Sequence, residues 1–276
     1  MRVMVMMPYQ NNLLSALADA VSFGLGTFIL IGDKKKIIET CFSENINYRK
    51  FTIHHFPLDA DAIEHAKMLI GENQIDYLIF GDIPEIYQLN ILGIRDSLSL
   101  GSIDIIDLPQ LRKFFLVSNI NRNFYVDFEE KKEAIMQARP LMKGLDIKRI
   151  NVVLLTNTNN KNEVLESNIV KMLVKESKLN DIEILGIQEL SSFLSSGSNF
   201  NIFNTDVNLL IMKNYELSRV FINTLIAFSK ARIASFMVSK KRLVLDYSLV
   251  KNKENLFFAL IILEKLYLKK IKSYYG

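Results

Sequence analysis

The chain has 276 residues, 49% hydrophobic and 23% charged, with a formal net charge of +4, the balance of a globular protein long enough for one large domain or two ordinary ones. Its one cysteine, Cys41, excludes an intramolecular disulfide and a cysteine-based metal cluster, and its scattered lysines do not form the basic stripe of a nucleic-acid binder. The apolar runs are too short for a transmembrane helix and MRVMVMMPYQNN lacks the apolar stretch of a signal peptide, so the expected setting is cytoplasmic, with no membrane and no nucleic acid as partner.

Residues 3–7 read as a first short strand. Residues 12–21 (NLLSALADAV) read as an amphipathic helix, with Leu13 and Leu17 beside a stripe of Ala16 and Ala20. Gly24-Leu25-Gly26 ends that helix, and 27–31 is a buried strand closed by Gly32-Asp33. These glycines follow a helix and open a strand, the reverse of a dinucleotide fingerprint, so they are turn residues. A helix over 34–39, a strand over 51–56, a helix over 59–70, a strand over 75–80 and a helix over 86–92 keep the same rhythm. Strand alternating with helix predicts a parallel sheet with right-handed crossovers.

The stretch from Ser99 to Pro140 gathers the polar groups around which the rest is arranged. Gly101-Ser102-Ile103-Asp104-Ile105-Ile106 is a β-branched strand, Leu108-Pro109 breaks it, and 113–117 resumes as a buried strand. Ser118-Asn119-Ile120-Asn121-Arg122-Asn123 follows directly, and open α/β sheets hold ligands at such strand ends. Asp127 then caps a helix that carries Glu129, Glu130, Lys131 and Lys132 and stops at Pro140. Beyond it come a strand over 151–156, a helix over 163–176, a strand over 182–185 and a short helix over 190–194. A hydrophilic loop (SSGSNFNIFN), a strand over 207–212 and a helix over 217–228 come next. Two elements over 231–238 and 242–245 flank the turn Ser239-Lys240-Lys241, and a final helix covers 255–270.

Isolated chemistry is sparse. His54, His55 and His65 have no partner spacing such as H-E-x-x-H and read as solvated or core-edge residues. Ser118 lacks a nucleophile elbow, Cys41 reads as a buried thiol, and Lys240-Lys241-Arg242 reads as a solvated turn that could hold a phosphate.

Taken together, the order of segments resembles the phosphate acetyltransferase and phosphate butyryltransferase family over nearly the whole chain. ALADA and ILIGD look like the family's opening, and Tyr77-Leu78-Ile79-Phe80-Gly81 keeps its glycine with Phe80 at the place of a lysine. Gly101-Ser102-Ile103, followed by Leu108-Pro109, is similar to a Ser-His-Val segment leading to Leu-Pro. Ser118 to Asn123 is similar to the family's Thr-Asp-x-x-x-Asn tip, with Asn119 in place of the acid. Residues 132–138 and 152–156 resemble the helix and strand that begin the family's second domain. Lys213, Ser218 and Arg219 stand where the family has a proline and a Gly-Asn pair, and Leu245-Asp246-Tyr247-Ser248 where a strand ends in Thr-Ser-Arg.

The resemblance implies two α/β domains with mainly parallel sheets around a cleft, an isocitrate/isopropylmalate dehydrogenase-like fold. The first domain would be 1–130 plus 235–276 and the second, inserted one 131–234. It further implies transfer of a short acyl group, acetyl or butyryl, from acyl-CoA to phosphate, with coenzyme A as substrate, no metal, and a homodimer. Ser118, Asn119 and Asn123 are the candidate catalytic residues; Gly81, Ser102, Arg219 and Ser248 are the candidate substrate-binding residues. The replacements at Phe80, Asn119, Lys213, Arg219 and Asp246-Tyr247 point to an alternative, a relative that binds coenzyme A or a partner without turnover. A third reading makes Arg219 or Arg122 a relocated anion clamp, since a guanidinium holds phosphate bidentately.

Overall fold

The structure, a computed structural model, describes residues 1–81, 83–95, 101–119, 127–197, 201–203, 206–239, 242–247 and 250–275. The chain begins with β1 (Arg2–Met6), α1 (Asn11–Ser22), β2 (Thr27–Gly32), α2 (Lys34–Ser43), β3 (Thr52–His55), α3 (Asp59–Gly71), β4 (Tyr77–Phe80) and α4 (Glu85–Leu92). An antiparallel hairpin follows, β5 (Gly101–Leu108) and β6 (Lys113–Asn119), then α5 (Phe128–Gly144) and β7 (Ile150–Leu155). Next come α6 (Lys161–Glu176), β8 (Ile182–Gln188), α7 (Leu190–Leu194), β9 (Leu209–Ile211) and α8 (Tyr215–Ser229). A second antiparallel pair, β10 (Arg232–Ser239) and β11 (Arg242–Leu245), leads into α9 (Lys253–Tyr275).

These elements form two units, Met1–Ser97 with Ala234–Gly276, and Leu98–Ile233. In the first, the strand order is β3-β2-β1-β4-β11-β10, parallel except for β10 against β11. Val3, Met4, Val5 and Met6 of β1 are all buried, as expected of a strand covered on both faces. Helices α1 and α9 meet through Phe23 and Phe257, whose rings pack edge to face at 5.4 Å, and through a 2.7 Å ion pair from Lys253 to Asp19. Gly81 sits where β4 ends, donating its N–H to the Met6 carbonyl at 2.8 Å. A Cβ there would stand 2.4 Å from the Met7 carbonyl oxygen, so only glycine fits.

In the second unit the order is β5-β6-β9-β7-β8, and all pairs but β5–β6 are parallel. Side chains cap α5, α6 and α8 at their N-termini. Asp127 and Glu130 form a reciprocal capping box on α5, Asn160 accepts from Asn162 and Glu163 on α6, and Asn214 accepts from Leu217 on α8. The mainly parallel α/β architecture agrees with the strand–helix rhythm of the sequence. The antiparallel exceptions arise because only residues 109–112 and 240–241 separate their strands, too few for a crossover.

Three boundaries differ from the sequence reading. The units part at Ser97/Leu98 and Ile233/Ala234 rather than after 130 and 234. The hairpin goes with the second unit because β6 pairs along β9. Helix α5 continues through Pro140 to Gly144. Its last turns bury Leu141 and Met142 and are held by Arg139 and Lys143, which both pair with Asp181 at 2.9 and 3.0 Å. These contacts outweigh the one hydrogen bond that a proline removes. The Arg139 hydrogen bonds take the Asp181 carboxyl down to about 2, against the opposing push of burial. No helix among the described residues is long and apolar enough to cross a membrane.

His54 on β3 and His65 on α3 share a 2.7 Å contact between Nδ1 and Nε2, beside the Phe56 ring. Burial first and the neighbouring His65 second lower the His54 pKa below its ordinary 6.5. The folded state thus resists a proton that the unfolded chain accepts. Stability rises with pH between the lowered folded value and the unfolded one, and falls as pH drops through that window. Thermal unfolding followed between pH 7.5 and 5 will show a decreasing Tm, and His54→Gln will flatten that slope.

Candidate active site

The carboxyl edge of the second unit's sheet collects its polar side chains, as the topology of an open α/β sheet leads one to expect. Asn119 ends β6, Lys213 follows β9, Thr156 and Asn157 follow β7, and Glu189 follows β8. Helix α8 starts at this edge, and its first two turns carry Leu217, Ser218 and Arg219.

One cluster lies between β5, β6 and α8. Ser102 and Asn119 are directly opposite each other in the β5–β6 ladder, and Asp104 is two residues on, so all three side chains share a face. Asn119 donates through Nδ2 to Ser218 Oγ at 2.9 Å. Asp104, fully buried, receives both terminal nitrogens of Arg219, with Nη1 at 3.2 Å from Oδ1 and Nη2 on Oδ2. Arg219 also reaches Ser218 Oγ at 3.2 Å and stacks its guanidinium 5.0 Å from the Tyr215 ring centre. The Ser102 hydroxyl and the Asn119 carbonyl oxygen are buried and have no hydrogen-bond partner among the described residues. Leaving such an oxygen unsatisfied costs about 1–3 kcal/mol, and these two are the buried oxygens of the cluster that still lack a partner among the described residues.

A second cluster, beside a cavity of 370 Å³, is built on Glu163 of α6. Its Oε2 accepts from Thr156 Oγ1 at 2.9 Å and from the Asn157 N–H at 3.0 Å. Its Oε1 takes Lys213 Nζ at 2.9 Å and Asn160 Nδ2 at 3.1 Å. Burial pushes the Glu163 carboxyl up, but these donors together outweigh it and hold the pKa below the ordinary value. Lys213, Thr156, Asn157 and Leu217 line the cavity together with Glu189, whose Oε1 accepts from Thr158 at 3.0 Å.

The residues singled out in the sequence separate accordingly. Asn119, Ser102 and Arg219 come together. Ser118, though adjacent to Asn119, points to the opposite sheet face and donates to the Ala134 carbonyl of α5 at 3.2 Å. Gly81 is in the first unit, packed on Met6 and Met7. Asn123 and Ser248 lie outside the described residues, as do Arg122, Lys240 and Lys241. Asp104, Glu163 and Glu189 were not among the sequence candidates. The signal for Asp104 is a carboxylate between isoleucines in the middle of a strand, two residues from Ser102.

No family model matches the sequence, and no curated protein is similar to it. Solved structures are. A branched-chain phosphotransacylase from Enterococcus faecalis V583 superposes with a TM-score of 0.72 at 16% identity, covering 96% of this chain and 99% of the other. The chain has the fold of the phosphotransacylases. The EutD phosphotransacetylase from Staphylococcus aureus gives 0.69 at 13% identity, over 96% of this chain and 94% of that one. Isocitrate dehydrogenase from Methylococcus capsulatus gives 0.52 at 10% identity, over 98% and 85%, so the wider dehydrogenase-like architecture is shared as well.

Asp104→Ala will take away the carboxylate that compensates the Arg219 charge, and should cost about 3 kcal/mol of stability. Chemical denaturation will register it as a lower midpoint. The double change Asp104→Leu with Arg219→Met should recover most of the loss.

Proposed function

We propose that the protein is phosphate acyltransferase-like, moving a short acyl group, acetyl or butyryl, from acyl-CoA to orthophosphate. The observation that carries this reading is the likeness to the branched-chain phosphotransacylase, which extends over almost the full length of both chains. In the reaction a phosphate oxygen attacks the thioester carbonyl carbon, the C–S bond breaks, and the thiolate leaves to take up a proton as free coenzyme A. No covalent intermediate on the protein is needed if both substrates are held in line.

The carboxyl edge of the second unit supplies groups suited to that work. The Ser102 hydroxyl can donate to an oxyanion, and the Asn119 carbonyl oxygen can accept from an amide N–H of the pantetheine arm or from a protonated phosphate oxygen. Lys213, about one third exposed and bonded to Glu163, is a cation beside the adjoining cavity. By resemblance, Ser118 and Asn123 remain candidates for catalysis and Gly81 and Ser248 for substrate binding, with a homodimer in the cytoplasm as the working form.

A second reading, a relative that binds coenzyme A without turnover, is favoured by one specific contact. The guanidinium of Arg219 is engaged by Asp104, so this part of the site has no net positive charge to offer a phosphate. Incubating the protein with acetyl-CoA or butyryl-CoA and phosphate, and following free thiol, decides between them. Phosphate-dependent thiol release supports the transferase; coenzyme A binding with no release supports the second reading. If the first holds, Asn119→Ala should lower kcat by about 10²-fold, measured below its melting transition so that the folded fraction stays complete.

A further inference from the structure

Among the described residues, strand β8 is the last strand of the second unit's sheet, so one of its long sides carries backbone N–H and C=O groups with no neighbouring strand. Such an edge invites a further chain, and proteins commonly guard it with lysine or proline on the strand itself. The β8 sequence IEILGIQ has neither. Its one charged residue, Glu183, is taken up by Arg149.

A groove of 690 Å³ runs along this side. Four consecutive β8 residues, Ile182 to Leu185, line it. Neighbours along a strand point to opposite faces, so a groove that touches four in a row follows the strand's edge and not one of its faces. The other wall is the C-terminal part of α6 and the turn after it. Val174 supplies an apolar strip there, and Lys171, Lys175 and Lys178 form an exposed rim. Lys171 and Lys175, four apart, lie on one side of α6, and Lys178 follows in the turn after it. None of them has a carboxylate within ion-pair distance among the described residues. The wall is therefore basic, the floor apolar and the edge strand open. The register shift that leaves Leu185 as an extra residue limits regular pairing to the part of β8 before it.

We propose that this groove docks an acidic, extended segment of another protein, added to the sheet beside β8 with its apolar side chains on Val174, Ile182 and Ile184 and its carboxylates on the lysine rim. Strand addition gives such contacts their affinity through main-chain hydrogen bonds, and the alternating side chains give them selectivity.

The test uses a fluorescein-labelled ten-residue peptide alternating glutamate and valine, titrated into the full chain at low salt with anisotropy as readout. Binding is expected, with slowed exchange of the outward-facing Ile184 amide, the Ile182 N–H being already donated to the Leu179 carbonyl. The triple change Lys171→Glu, Lys175→Glu, Lys178→Glu should weaken it at least about tenfold, since each reversal replaces an attraction by a repulsion. Methylating alternate peptide nitrogens, which removes strand hydrogen bonds without changing charge, should abolish it on the unaltered protein. That second arm keeps the proposal testable should the triple variant fold poorly. Equal binding of the methylated peptide, or of a decaglutamate with no strand pattern, would overturn the proposal in favour of plain charge attraction. Sedimentation showing a second copy seated on this edge, with the peptide unable to compete, would overturn it too.

Discussion

A carboxylate in the middle of a buried strand has to be compensated where it stands, and for Asp104 the compensation comes from Arg219. The obligation is geometric as well as electrostatic. Removing one partner of a buried pair leaves an isolated charge in a poor dielectric, a far larger penalty than the pair's own net contribution. The pairing therefore fixes how α8 lies over β5 and β6, and with it the positions of Ser218, which Asn119 holds, and Leu217, which faces the cavity. On the same edge the Glu163 carboxylate does a similar job, drawing together the loop after β7, the start of α6 and the Lys213 ammonium. The second unit's carboxyl edge is thus set by two carboxylates, each saturated by donors from different elements.

This arrangement has a chemical consequence. An acyl transfer to phosphate asks for positive charge and donors aimed at oxygen atoms that gain charge during the reaction. Among the described residues, two cations of this edge, Arg219 and Lys213, are each matched by a carboxylate. The buried groups of this edge that have no partner among the described residues are neutral and polar, the Ser102 hydroxyl and the Asn119 carbonyl oxygen. Such groups orient a substrate well and stabilise developing charge modestly.

How much of this could be read from residues alone depended on range. The strands of the first unit and the helices between them follow from short periodic patterns, and their positions agree with the structure to within a few residues. Asp127 as a cap was legible because a cap acts over three residues. The Asp104–Arg219 pair was not, because 115 residues separate its partners and only folding makes them neighbours. Ser118 and Asn119 looked like one polar tip in the sequence; strand alternation sends them to opposite faces, and only the neighbours, α5 on one side and α8 on the other, say which face matters. Pro140 misled for the reverse reason, since tertiary contacts through Asp181 override a local breaker.

The chain leaves the first unit at residue 97 and returns to it at 234. On the ribosome, the whole second unit emerges before β10, β11 and α9 exist. During that interval β4 has no β11 beside it and α1 has no α9 to pack against, so the first unit waits with an open sheet side and an unpaired helix. The second unit, by contrast, is continuous in sequence and can complete its core as soon as α8 has left the exit tunnel. Its maturation would come first, and the closing of the first unit would be the late, chaperone-sensitive event in the birth of this protein.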